Sequence, residues 1–206
     1  MTIDELNTSF KIGEKFEKVV AELILQRGTA NIRVATKNEN KYDHIDFFIV
    51  PNDKSKKELS IDVKGLKRYQ RENTYYQDEK VCLEFKNEWG YSGWLYGKAD
   101  FIAFCRFDKV IFIPLKTLRR FAEQIKNKNW DKFYRPKKPL EGFHPELEQP
   151  FGKARKYKKD SNGKLVDSGP AEDILINVSW EKIETLPGIF KLPITFETYR
   201  KYEINI

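Results

Sequence analysis

Cysteine and histidine are scarce in this chain, two of each in 206 residues. Cys82 and Cys105 each sit inside an apolar run, VCLEF and FIAFCRF, with no further ligand at metal-binding spacing. A zinc ribbon and a disulfide scaffold are therefore excluded, and reduced core thiols are expected. His44 and His144 are too isolated for a zinc site or for histidine-based cleavage, although His44 is close enough to Asp46 to modulate a metal held there. No apolar run approaches the roughly eighteen residues needed to cross a bilayer, and MTIDELNTSFKIGEKF lacks the basic start and apolar middle of a secretory signal. A soluble, cytoplasmic protein without a membrane partner is the expectation. Internal repeats are absent as well. What the chain does have is 40% hydrophobic and 14% aromatic residues, enough to bury a real core. It also has 38 Lys and Arg against 31 Asp and Glu, a net charge of +7 that suits a polyanionic partner.

The pattern along the chain alternates between helix and strand periods. SFKIGEKFEKVVAELILQRG reads as an amphipathic helix with Ser9 as N-cap and Gly28 as stop, and with Ile12, Phe16, Val19, Val20 and Leu23 on one stripe. Glu17 falls on the flank of that stripe and Glu14 nearly opposite it. NIRVAT, YDHIDFFIV and ELSIDVKG read as three strands, the last two joined by the polar turn PNDKSKK. VCLEF, DFIAFCRF and KVIFIP follow as strands, and LKTLRRFAEQIK has helical spacing with Leu115, Leu118, Phe121, Ala122 and Ile125 on its apolar side. From about residue 127 to 171 the texture turns to proline, lysine and aromatics without period, with Asn162-Gly163 suggesting a basic hairpin. That stretch reads as an insertion within a single domain covering 1–206. DILINVSWEKIETL returns to the core as a strand and short helix.

Within this frame one strand is unusual. In ELSIDVKGLKRY, Asp62 and Lys64 point to one face and Ile61 and Val63 to the other, which sets the acid and the base about 7 Å apart on a single edge. A surface ion pair is the plain explanation. A second acid, Asp46, interrupts the apolar run YDHIDFFIV, where an aspartate costs free energy unless something satisfies it. Asp43 is its rival, at the strand entrance where turn aspartates are ordinary. With Glu17 on the helix flank, the order is helix acid, strand acid, next-strand acid with lysine. Mg²⁺ is usually held by one or two carboxylates plus waters and phosphate oxygens. Asp46 and Asp62 offer those carboxylates, the Val63 carbonyl a neutral oxygen, and Glu17 a group to bind a metal-held water or a second ion.

GEKFEKVV, HID and IDVK resemble the core motifs of the PD-(D/E)XK nuclease superfamily, over roughly residues 10–115. The residue before Asp46 is Ile45 where that family's name has proline. The resemblance implies an α/β fold with a central mixed β-sheet flanked by helices, a restriction-endonuclease-like core carrying the basic insertion. It implies a Mg²⁺-dependent deoxyribonuclease, with Mn²⁺ able to substitute, whose catalytic residues are Glu17, Asp46, Asp62 and Lys64. Homodimers are frequent in that family. Glu84, in the next strand, is a further candidate for the site. Trp94, in the glycine-bearing loop GYSGWLYG, reads first as a core residue of a tight turn and second as a stacking residue. Lys67 and Arg68, with Lys153, Arg155, Lys156, Lys158 and Lys159 of FGKARKYKK, are candidates for phosphate contacts, which position nucleic acid without reading its sequence. The alternatives are an RNA-cleaving enzyme, or a catalytically silent nucleic-acid-binding or interaction protein on the same fold.

Overall fold

The computed structural model describes residues 3–68, 76–87, 90–128, 155–159, 165–170 and 174–204. Helix α1 (Ile3–Leu25) runs through Ser9, so the expected N-cap lies inside it, and Gly28 ends its turn at φ +68°, a conformation that glycine adopts without penalty. After β1 (Ala30–Val34) comes a helix where the sequence reading placed the start of a strand. In α2 (Lys37–Asp43), Thr36 and Glu39 form a capping box, the Thr36 side chain accepting from the Glu39 N–H and the Glu39 carboxylate from the Thr36 N–H at 2.7 Å. His44 closes α2 in the left-handed region at φ 54°, and β2 (Phe47–Pro51) begins only afterwards. β3 (Leu59–Lys64) returns antiparallel to β2, with Phe47 opposite Ile61.

The next segments form the crossover that a parallel strand pair demands. β4 (Lys67–Arg68) and β5 (Tyr76–Gln77) make a minimal antiparallel ladder; β6 (Lys80–Lys86) and a short 3-10 helix (Trp94–Tyr96) follow. β7 (Phe101–Cys105) then lies parallel to β3, with Asp62 opposite Ile102 and Lys64 opposite Phe104. β8 (Lys109–Pro114) and α3 (Leu115–Lys128) come next. β9 (Arg155–Lys159) and β10 (Leu165–Pro170) pair antiparallel with each other; Asn162-Gly163, on which the expected hairpin turn rests, lies outside the described residues. β11 (Ile174–Ser179) pairs with β6, and α4 (Trp180–Ile183), β12 (Phe190–Pro193) and α5 (Phe196–Lys201) complete the chain. The main sheet has the order β1-β2-β3-β7-β8-β12, antiparallel except for β3 and β7. The fold is mixed α/β, a mixed sheet flanked by helices. Among the described residues no helix is long and apolar enough to cross a membrane.

Each face of the sheet carries its own core. On one, Phe16, Val19, Val20 and Leu23 of α1 pack with Phe47, Ile61, Val63 and Ala103 and with Tyr199 of α5. On the other, Ile102, Phe104, Ile111 and Ile113 meet α3, β6, β11 and the two tryptophans Trp94 and Trp180. Burying each such side chain contributes about 1.5–3 kcal/mol, so both layers hold the sheet firmly. Gly65 allows the closest approach: a Cβ there would sit 2.3 Å from the Phe16 ring, so only glycine lets α1 lie this near the end of β3. That approach brings Glu17, the neighbour of Phe16, beside the strand.

Candidate active site

The strand β3 divides as its alternation requires. Ile61 and Val63 enter the α1 core, while Ser60, Asp62 and Lys64 turn to the opposite face. Ser60 and Asp62 are the only buried polar side chains among the described residues, and only Ser60 is satisfied, by Asp100 at 2.9 Å. Asp62 is 2% exposed. Its Oδ1 pairs with Lys64 Nζ at 2.7 Å, whereas Oδ2 is buried with no donor. The Asp46 carboxyl is within hydrogen-bonding reach of Asp62. As carboxylates, however, both are acceptors, and Oδ2 remains unsatisfied until a proton or a cation comes between them.

Asp46 is held from three sides. Its peptide N–H donates to Ile61 O at 2.8 Å and its carbonyl accepts from Ala35 at 3.0 Å, so the residue prolongs β2 between β1 and β3. Its Oδ2 accepts from the Val63 N–H at 2.6 Å, and Oδ1 from Asn40 Nδ2 at 2.8 Å. The carboxylate thus takes the strand-edge donor that a continued β2 would have used. In a strand, the N–H and C=O of one residue face the same edge, so the Val63 carbonyl also turns towards Asp46. Asp43, the rival acid, ends α2 and pairs with Lys98 at 2.8 Å. Asn40 was not singled out from the sequence; the Thr36-Glu39 capping box was the available signal that a helix would carry it.

Electrostatics tie the helix acid to this pair. Burial raises the Glu17 carboxyl to about 7, with Asp46, Glu14 and Asp62 adding and Lys64 opposing. Burial likewise raises Asp62 to about 7, with Lys64 opposing and Asp46 adding. Groups so coupled titrate as a set. His44 is pushed down by burial and then by Lys64, with Asp46 and Asp43 opposing. Glu17, Asp46, Asp62, Lys64 and His44 thus share one neighbourhood. Glu84 lies on β6, which pairs with β11, while the strand beside β3 in the main sheet is β7. Trp94 is buried as a core residue, and its ring also lies 5.1 Å from Lys64 Nζ. Lys67 and Arg68 follow the site in β4, and Arg155, Lys156, Lys158 and Lys159 lie on β9, described at the level of backbone alone; Lys153 is outside the described residues.

Searches against protein-family models, curated proteins and solved structures return no match for this chain. Among the described residues no three His, Cys, Asp or Glu side chains form a ready-made metal cage. Mg²⁺ does not ask for one, since it keeps several waters and takes one or two carboxylates. A buried carboxylate with one unsatisfied oxygen, close to a second carboxylate and to the Val63 carbonyl, fits that requirement.

Proposed function

We propose that this site belongs to a metal-dependent endonuclease that hydrolyses phosphodiester bonds in DNA. The buried Asp62 carboxylate, one oxygen on Lys64 and the other without a donor beside Asp46, carries the reading. Asp46, Asp62 and the Val63 carbonyl would hold Mg²⁺, or Mn²⁺ in its place, which when bound supplies Lewis acidity to the phosphate and lowers the pKa of water. The chain's own groups do the rest. Asn40 and the Val63 N–H fix the Asp46 carboxylate in orientation. Lys64 Nζ neutralises Asp62 at rest and meets a phosphoryl oxygen when a substrate arrives. Glu17, with a carboxyl raised to about 7, is poised to take a proton from water at neutral pH. The net charge of +7 favours a polyanionic substrate.

The test is cleavage of labelled linear, circular, branched and single-stranded DNAs and RNAs in Mg²⁺, Mn²⁺ and EDTA. We expect metal-dependent cutting of DNA that is lost in folded Asp62→Asn and Lys64→Ala proteins. Cutting confined to RNA would replace the substrate. No cutting of any substrate, with salt-sensitive binding unchanged by either substitution, would leave a binding protein and overturn the reading.

A further inference from the structure

No other described strand holds as many cations as β9, where four of the five residues are Lys or Arg. It lies outside the main sheet: β9 pairs antiparallel with β10, and among the described residues the two strands form a ladder of their own. Alternation places Arg155, Tyr157 and Lys159 on one face of β9 and Lys156 and Lys158 on the other. Residues directly opposite one another in such a pair share a face. Leu165 and Asp167 therefore join the first set and Val166 the second. A strand that packs on a core is apolar on one face, whereas β9 has cations on both.

Shape decides which polyanion suits this ribbon. A single nucleic-acid strand is held by a basic groove with aromatic platforms under successive bases. The two strands offer one aromatic residue, Tyr157, and an acid, Asp167, stands in register with it. An anionic lipid surface meets a ribbon from one side and leaves the cations of the other face unmatched. The major groove of duplex RNA is too deep and narrow to enter. The major groove of B-form DNA is about 12 Å wide, admits a two-stranded ribbon, and is walled by phosphate on both sides. At the strand rise β9 is about 17 Å long, which covers about half of a helical turn of roughly 34 Å. Over that length each set of cations has a phosphate wall to meet.

We propose that β9 and β10 form a ribbon that docks in the major groove of duplex DNA, with Lys156 and Lys158 on the phosphates of one strand and Arg155 and Lys159 on those of the other. The proposal rests on the nuclease reading for DNA as the substrate, and it deepens it: the substrate is a duplex, held by contacts that position it without reading its sequence.

The experiment is equilibrium binding, in EDTA, of the full chain to labelled duplex DNA, single-stranded DNA and duplex RNA of one sequence, between about 50 and 200 mM salt. Duplex DNA should bind tightest. Each phosphate contact removed lowers the slope of log K against log salt by about 0.9. Lys156→Gln with Lys158→Gln, and Arg155→Gln with Lys159→Gln, should therefore each lower it by about 1.8 in proteins whose fold is checked by circular dichroism. Lys54→Gln with Lys56→Gln, at exposed positions in the turn between β2 and β3, removes the same charge and should leave the slope unchanged. A second measurement needs only the wild type. Bulky substituents at C5 of the pyrimidines project into the major groove and should weaken binding by about tenfold or more, whereas a ligand filling the minor groove should not compete. Unchanged slopes in the ribbon variants, an equal loss in the Lys54 and Lys56 pair, tighter binding of single strands or of duplex RNA, or indifference to the C5 groups would each overturn the proposal. Cutting in Mg²⁺ without the expected effects removes the ribbon and leaves the nuclease. The expected effects without cutting keep the ribbon and remove the nuclease.

Discussion

Replacing Asp62 by Asn isolates the energetic peculiarity of the site, because the amide keeps the shape of the side chain and deletes its charge. In the folded protein the Asp62 carboxyl is raised from 3.8 to about 7. Between those two pH values the folded chain holds a proton that the unfolded chain has released. Stability therefore falls as pH rises across that window, by about 1.4 kcal/mol per pH unit, and levels off above it. Three units give a ceiling of about 4 kcal/mol, and the residue is buried, so solvent does not screen it. By pH 5 only about 2 kcal/mol of that has been lost. Asn has no such slope. Urea unfolding of metal-free wild type and Asp62→Asn at pH 5 and pH 8 should show the stability difference moving by roughly 2–3 kcal/mol in favour of the variant at the higher pH. Removing this charge also relieves Glu17, which Asp62 raises, and acts in the same direction. A difference that does not change with pH, or one that moves against the variant, would refute the account of Asp62 as a buried, incompletely satisfied carboxylate. Saturating Mg²⁺ at pH 8 should stabilise the wild type, by about 2.7 kcal/mol at a hundredfold excess over Kd, and leave Asp62→Asn unmoved.

Cleavage should follow the same groups. In the metal-free protein Glu17 and Asp62 are both raised to about 7 and metal loading needs Asp62 as a carboxylate, so at subsaturating Mg²⁺ the rate should climb as pH passes through 6 to 8 and then level. Lys64 lowers both carboxyls, so in Lys64→Ala any residual activity should have its rise displaced to higher pH, which a pH–rate profile reads directly. Gly65→Ala places a methyl group 2.3 Å from the Phe16 ring and should cost about 1–3 kcal/mol in urea unfolding, as overpacked cores do; a neutral result would mean that α1 does not bear on β3 this closely. Thr36→Ala removes the Oγ1 that accepts from Glu39 and should cost about 1 kcal/mol, measured by thermal unfolding.

Period and spacing alone determined much of this protein. The alternation in ELSIDVKG separates Asp62 and Lys64 from Ile61 and Val63 whatever the partners of the strand, because a two-residue repeat of faces is a property of the backbone. The stripe on α1 likewise places Glu17 beside, and not within, the α1 core. The hairpin of β2 and β3 and the return of β11 and α4 were readable from turn residues and apolar runs. The region before Asp46 was not, since a seven-residue helix without a buried side chain has no apolar period to betray it; only the Thr36-Glu39 pair marked it.

Tertiary structure alone decided what those residues became. That Asp62 is buried follows from β7 lying parallel beside β3, which sets Ile102 and Phe104 against Asp62 and Lys64. No local pattern specifies a parallel partner 40 residues away, because its pairing depends on the whole crossover between them. That Asp46 meets the Val63 N–H follows from the left-handed turn at His44. The types and order of the reactive groups were in the sequence; their burial, and with it the unmade bond at Asp62, came from long-range packing, where the free energy of a buried charge is set by every element around it.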